Sequence, residues 1–142
     1  MDRVLIESPF KTSQIQLPDG EKITIDEDTN VKYALACCRW ASDRGLAPFA
    51  SHLFYTQYLD DTDEAERERG IQSGFAWGKV AQKRIFFVDR GFTSGMVYGY
   101  KNAEDLKQYI QVIKLGGKWD LGWVEADNPH WNDIDARLAQ TL

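Results

Sequence analysis

Two short runs of consecutive apolar residues most constrain the fold of this chain. Val4–Ile6 forms the first run and Ile85–Val88 forms the second. Strands that are apolar on both faces are typical of parallel sheets, because helices cover both sides of such sheets. Amphipathic segments with helical spacing lie between the two runs and after the second one. The pattern predicts an α/β fold with a doubly wound, mainly parallel sheet, a three-layer arrangement of the flavodoxin or Rossmann type.

Local patterns predict the remaining elements. Apolar and polar residues alternate on both sides of Pro18–Gly20, which indicates an inserted β-hairpin over residues 14–25. The other predicted elements are a helix capped by Asn30, a strand over Leu46–Ala50, a loop over Ser51–Asp61, a helix over 63–82, a glycine-containing turn over Asp89–Met96, a helix capped by Asn102 that ends at Gly116–Gly117, a strand over 119–123 and a helix from Pro129. Residues 117–142 are thus interpreted as a C-terminal strand and helix extension.

Length and charge exclude several classes of function. The 142 residues suffice for a single domain, which we expect to span 1–142. The net charge of -5 argues against a surface that follows the phosphates of a nucleic-acid polymer. The chain shows no membrane-length apolar run and no leader pattern, so we predict no membrane association and a cytoplasmic location, the host cytoplasm if a phage encodes it.

Metal and cofactor motifs are also missing from the sequence. His52 and His130 have no ligand spacing with the adjacent cysteines Cys37 and Cys38. There is no Walker loop and no GxGxxG sequence. We therefore expect neither a metal nor a cofactor.

The predicted sheet indicates where a ligand would bind. In doubly wound sheets the ligand binds beyond the carboxyl ends of the strands, where the strand order reverses. This rule selects Glu7–Phe10, His52–Asp61 and Asp89–Met96, which all carry polar or aromatic side chains.

The order of these segments and their neighbours along the chain matches that of a known superfamily. The sequence resembles the nucleoside 2-deoxyribosyltransferase-like superfamily, and in particular its uncharacterised phage and bacterial members, over about residues 3 to 100 without the hairpin. The matching segments are Ile6–Phe10, Asn30–Val31, Cys38–Arg39, Gly45–Leu53, Gln57–Asp61, Glu66–Gly70, Asp89–Arg90 and Ser94–Met96.

The resemblance implies a nucleoside or nucleotide at the strand ends, a glutamate that attacks the anomeric carbon, and a homo-oligomer. The position that matches this glutamate is Gly99. Because glycine cannot act as a nucleophile, we expect the pocket to persist without the covalent step. If hydrolysis persists, Glu7, Asp60 or Asp61 are the candidate catalytic residues that would activate water.

Side-chain chemistry suggests how a ligand would be held. Hydroxyl groups and turn N–H groups near Ser8 and Ser94 suit a ribose or phosphate, and Arg90 suits a phosphate. Aromatic rings, among them Tyr98, suit stacking on a base, although each is also a plausible core residue. The candidate ligand-binding residues are Ser8, Pro9, Phe10, His52, Tyr55, Gln57, Asp89, Arg90, Phe92, Thr93, Ser94, Gly95 and Met96.

Ordinary structural roles compete with these assignments. His52 would also serve as a hydrogen-bonded loop anchor. Asp60 and Asp61 suit the N-terminus of the following helix, and Arg90 suits a salt bridge to Asp89 or Glu7.

Three functional hypotheses follow. The first is a protein that binds a nucleotide or nucleoside derivative, for example a phage sponge for a host immune signal such as ADP-ribose or a cyclic nucleotide. The second is a hydrolase or transferase acting on N-glycosidic bonds. The third is a protein-interaction inhibitor that acts through Trp119, Trp123 and Trp131.

Overall fold

The computed structural model describes residues 1–16 and 22–116. Its elements are β1 (Arg3–Glu7), β2 (Ser13–Gln16), β3 (Lys22–Ile25), α1 (Glu27–Asp43), β4 (Ala47–Phe49), α2 (Ser51–Tyr55), α3 (Glu64–Gly78), β5 (Lys83–Phe87), α4 (Ser94–Asp105) and β6 (Tyr109–Ile113). None of the helices in these residues has the length and apolarity needed to cross a membrane.

The main sheet has four strands in the order β4-β1-β5-β6, and every neighbouring pair is parallel. The predicted α/β fold with a parallel sheet is therefore confirmed. Strands β2 and β3 form a separate antiparallel pair, which confirms the inserted hairpin. From β1 the chain passes to β4 on one side and then to β5 on the other, so the strand order reverses between β1 and β5.

Helices cover both faces of the sheet. Alternate residues of β1 and β5 pack against α1 on one face, in a cluster that includes Ile6, Phe87 and Tyr33. On the other face, Phe86 packs against α4 through Tyr100. Helix α3 also lies on this second face, where Gly78 approaches Leu5 and Arg84. These contacts give the predicted three layers.

Two predicted helix starts are wrong. Helix α1 begins after Asp26, whose carboxylate accepts from the Thr29 N–H at 2.8 Å, so Asn30 lies inside the helix. The Asn30 amide is fully buried and donates to the carbonyl oxygens of Phe10 and Lys11. The sequence does not reveal these long-range acceptors, so the local pattern alone predicts an asparagine cap.

The helix predicted from Asn102 is also wrong. Thr93 caps α4, which ends at Asp105, and Tyr109–Ile113 forms strand β6 beside β5. Lys107 has a positive φ of 52°, which ends the helical conformation. Apolar residues with helical spacing span both elements, and the β-branched residues of the second half favour the strand.

Three further predictions differ from the structure or fall outside it. The predicted loop over Ser51–Asp61 begins with the short helix α2. The predicted strand over 119–123 and the helix from Pro129 lie outside the described residues.

Candidate functional site

A cavity of about 590 Å³ lies at the reversal point, beside the carboxyl ends of β1 and β5 and the first turn of α4. This volume is within the range typical of small-molecule sites. The predicted site residues that line it are Glu7, Ser8, Phe10, His52, Tyr55, Asp61, Arg90, Phe92, Thr93, Ser94, Gly95 and Met96.

Four predicted site residues do not line this cavity. Pro9 is buried, and Gln57 and Asp60 are exposed away from the cavity wall. The Asp60 carboxylate accepts from the N–H and hydroxyl groups of Thr62, which is a local turn interaction. Asp89 is 2 % exposed and lies behind the wall.

Asp89 has a structural role. Its carboxylate accepts from the Tyr33 hydroxyl at 2.5 Å, from Leu115 N at 2.8 Å and from Gly116 N at 2.9 Å. These bonds tie α1 and the segment after β6 to the end of β5.

Glu7 supplies a carboxylate that borders the cavity. A Cβ atom built on Gly99 would lie 2.8 Å from Glu7 Oε1 and 2.9 Å from its Cδ, so the carboxylate fills the space that a side chain at position 99 would need. The Glu7 side chain is 16 % exposed. Burial raises the pKa of Glu7 from 4.5 to about 7, against the opposing effect of Arg84. A carboxyl group with this pKa exchanges a proton readily near neutral pH.

Arg84 lies beneath Glu7 and is completely buried. Its Nη1 lies 3.7 Å from Glu7 Oε1 and donates to the Gly99 carbonyl oxygen at 2.6 Å, while Nη2 donates to Asn102 Oδ1 at 2.8 Å. A Cβ atom on Gly78 would lie 2.5 Å from Nη2. Two helix glycines therefore make room for this ion pair.

Ser8 and His52 form a second polar pair. Ser8 Oγ lies 3.0 Å from His52 Nε2. Burial lowers the pKa of His52 from 6.5 to about 4, so the imidazole is neutral at neutral pH. The Phe10 ring meets the imidazole edge-on, with centroids 5.9 Å apart.

Arg90 and the start of α4 form a cationic wall of the cavity. Arg90 is 2 % exposed, its Nη1 donates to Asn30 Oδ1 at 3.4 Å, and its Cζ lies 5.0 Å from the centre of the Tyr33 ring. Thr93, Ser94 and Gly95 border the same space. N–H groups in the first turn of a helix carry partial positive charge, so this wall favours an anionic group.

An ion cluster lies at another part of the wall. Asp61 lies 3.9 Å from Lys11 Nζ and 3.9 Å from Arg67 Nε. Because these two cations face the Asp61 carboxylate, the structure favours a tethering role for Asp61 over water activation.

The sequence patterns do not predict that α3 forms part of the cavity wall. Arg67, Gly70, Ile71, Gly74 and Phe75 line the cavity from this helix. Phe75 also packs on Tyr98, with centroids 5.2 Å apart. The available signal was the spacing of Gly70, Gly74 and Gly78, which marks a helix face that a neighbour approaches closely.

Comparison with known proteins gives a family but no activity. A family model described as "Domain of unknown function (DUF7768)" matches residues 2–113. Neither the curated proteins nor the solved structures contain a match.

Proposed function

Because the chain belongs to the DUF7768 family, whose description assigns no activity, we propose a function from the site itself: the cavity binds a nucleoside or nucleotide derivative. The observation that carries this proposal is the composition of the cavity wall. Aromatic rings, hydroxyl groups and a cationic helix start surround one space of about 590 Å³.

Each part of a nucleotide has a suitable partner in this wall. Phe10 and Tyr55 offer ring faces or edges to a base, Ser8 and Glu7 offer acceptors to sugar hydroxyls, and Arg90 with the first turn of α4 suits a phosphate. The resemblance to deoxyribosyltransferase-like proteins supports the same ligand class. Binding without turnover would sequester the ligand, for example ADP-ribose or a cyclic nucleotide.

Calorimetry tests this proposal. Purified protein is titrated with nucleosides, nucleoside monophosphates, ADP-ribose and cyclic nucleotides, and the supernatant of denatured protein is analysed by mass spectrometry. We expect at least one compound to bind, and Phe10→Ala to weaken it about tenfold, since a stacked ring contributes about 1–3 kcal/mol. Tyr58→Ala is the matched control, because Tyr58 is 63 % exposed and lies off the cavity wall. Absence of binding across the whole panel would refute the proposal.

A second candidate function is hydrolysis of an N-glycosidic bond, and the position of Glu7 favours it. The carboxylate occupies the space above Gly99, borders the cavity and has a pKa raised to about 7. In this reaction Glu7 takes a proton from water, the water oxygen bonds to the anomeric carbon, and the carbon–nitrogen bond breaks. The base leaves with the electron pair and takes up a proton.

Chromatography of free base tests the second candidate. We expect release from a bound nucleoside or nucleotide, and loss of that release in Glu7→Gln. Because Glu7 acts in its ionised form, the rate should fall about tenfold per pH unit below pH 7. Glu68→Gln on the exposed face of α3 is the control for removal of one negative charge. If a bound ligand stays intact, the protein binds without hydrolysis.

A further inference from the structure

We propose that Ser8 is a nucleophile, activated by His52, that attacks a phosphoryl centre of a ligand in the cavity. The ligand class in this inference rests on the proposed function. The proposed reactivity of Ser8 does not depend on the ligand class, because it is argued from the contact between Ser8 and His52.

The contact has the geometry of a nucleophile and its base. Ser8 follows the last residue of β1, and His52 is the second residue of α2, so two neighbouring strand ends bring them together. The distance of 3.0 Å between Ser8 Oγ and His52 Nε2 is within hydrogen-bond range. Both residues line the cavity, and Ser8 is 6 % exposed.

The His52 imidazole is in the neutral form that a proton acceptor requires, and its position is restrained. A neutral imidazole has one ring nitrogen without a proton, and the serine hydroxyl donates to that atom when Nδ1 carries the hydrogen. The Thr56 hydroxyl donates to the His52 carbonyl oxygen, and the Phe10 ring packs against the imidazole. These contacts restrain the position of the base relative to Ser8.

The electrophile follows from the charges around the cavity. Arg90 and the first turn of α4 border the same space and favour an anion, which a phosphoryl group supplies. In the reaction the Ser8 Oγ–phosphorus bond forms and the hydroxyl proton passes to His52 Nε2. The bond from phosphorus to the leaving oxygen breaks, and that oxygen takes the proton from His52. Water then hydrolyses the serine phosphoester.

An alkyl fluorophosphonate tests Ser8 directly. Attack on this probe forms an oxygen–phosphorus bond, breaks the phosphorus–fluorine bond and releases fluoride, and the hydroxyl proton passes to His52. We expect a single adduct per chain in the intact mass, located at Ser8 by peptide mapping of the wild-type protein. This measurement needs no variant. An absent adduct, or an adduct on another residue, overturns the inference.

Variants test the role of His52. His52→Gln should slow labelling about 100-fold, since a general base contributes about 10²–10⁴-fold to such a step. Ser42→Ala is the control, because Ser42 is exposed on α1, lies off the cavity wall and has no histidine contact among the described residues. It should label at the wild-type rate. Circular dichroism melting checks that each variant is folded, and equal labelling of folded His52→Gln and wild-type protein overturns the activation by His52.

Protection by adenosine monophosphate separates this inference from the proposed function. Slower labelling of Ser8 in its presence supports both the nucleophile and the nucleotide site. Labelling of Ser8 without protection, combined with no heat in the nucleotide titrations, supports the nucleophile and refutes the nucleotide site. Nucleotide binding without any Ser8 adduct overturns the nucleophile and leaves the proposed function intact.

Discussion

Glu7→Gln is expected to make the protein more stable at pH 8, by about 3 kcal/mol, while it removes the carboxylate from the cavity. Burial raises the pKa of Glu7 from 4.5 to about 7, so ionised Glu7 costs more in the folded state than in the unfolded chain. The pKa of about 7 already includes the attraction of Arg84, which lowers the pKa of Glu7 by less than burial raises it. A neutral amide of the same shape avoids the cost of burying the charge.

The sign of the pH dependence follows from the raised pKa. The contribution of Glu7 to stability is fully present below pH 4.5 and is lost as the pH rises through about 7. The free energy of unfolding of the wild type should therefore decline between these pH values relative to that of Glu7→Gln. Above pH 8 the difference should stay constant.

Urea unfolding at pH 4.5, 6, 7 and 8 measures this difference. Glu68→Gln is the control, because it removes a negative charge from the exposed face of α3. A Glu7→Gln protein that is less stable than the wild type at pH 8 would contradict the prediction. That result would show that the buried Arg84 guanidinium requires a charged partner. A gain in stability for Glu7→Gln would indicate that the charge of Glu7 serves the candidate site and not the stability of the fold.

Gly78→Ala is expected to destabilise the protein by about 3 kcal/mol. The new Cβ atom would lie 2.5 Å from Arg84 Nη2 and 3.2 Å from Leu5 Cδ2. Arg84 is completely buried and is held by the Gly99 carbonyl oxygen and Asn102 Oδ1, so the guanidinium group cannot move aside without losing a hydrogen bond. This cost exceeds the gain of about 1 kcal/mol from replacing glycine by alanine in a helix.

Two other glycine variants serve as matched controls for Gly78→Ala. A Cβ atom on Gly70, in the same helix, would lie 3.6 Å from Leu59 and Tyr55, which is an ordinary contact, so Gly70→Ala should be neutral or slightly stabilising. Gly99→Ala should displace the flexible Glu7 carboxylate into the cavity and change stability by less than about 1 kcal/mol. Thermal and urea unfolding of the three variants measure these effects. Equal stability of Gly70→Ala and Gly78→Ala would contradict the assigned packing of Arg84.

Much of the sheet could be predicted from the sequence because its central strands are continuous apolar runs. Ile85–Val88 predicts a buried strand whatever its neighbours are, and the hairpin follows from its own turn residues. The local pattern predicts a helix at the edge strand β6, because the spacing of its apolar residues fits both a helix and a strand. The choice depends on pairing with β5, which lies some 25 residues earlier in the chain.

Only part of the candidate site can be predicted from the sequence. The ends of the strands can be predicted, but the helix face that lies opposite them cannot. Ser8, His52 and Ser94 follow or precede predicted elements, and the topology brings them to one cavity. Arg84 lies in β5, and its neighbours Gly78 and Gly99 come from two different helices. The resemblance to deoxyribosyltransferase-like proteins implies only that a carboxylate is missing at Gly99. The structure shows that this glycine also admits the carboxylate of Glu7.

The buried amide of Asn30 connects parts of the protein that are distant in sequence. Its Nδ2 donates to the carbonyl oxygens of Phe10 and Lys11, just before the hairpin begins at Ser13, and its Oδ1 accepts from Arg90 at the end of β5. The loss of this one side chain would therefore loosen the attachment of the segment before the hairpin and the position of Arg90 at the cavity wall at the same time.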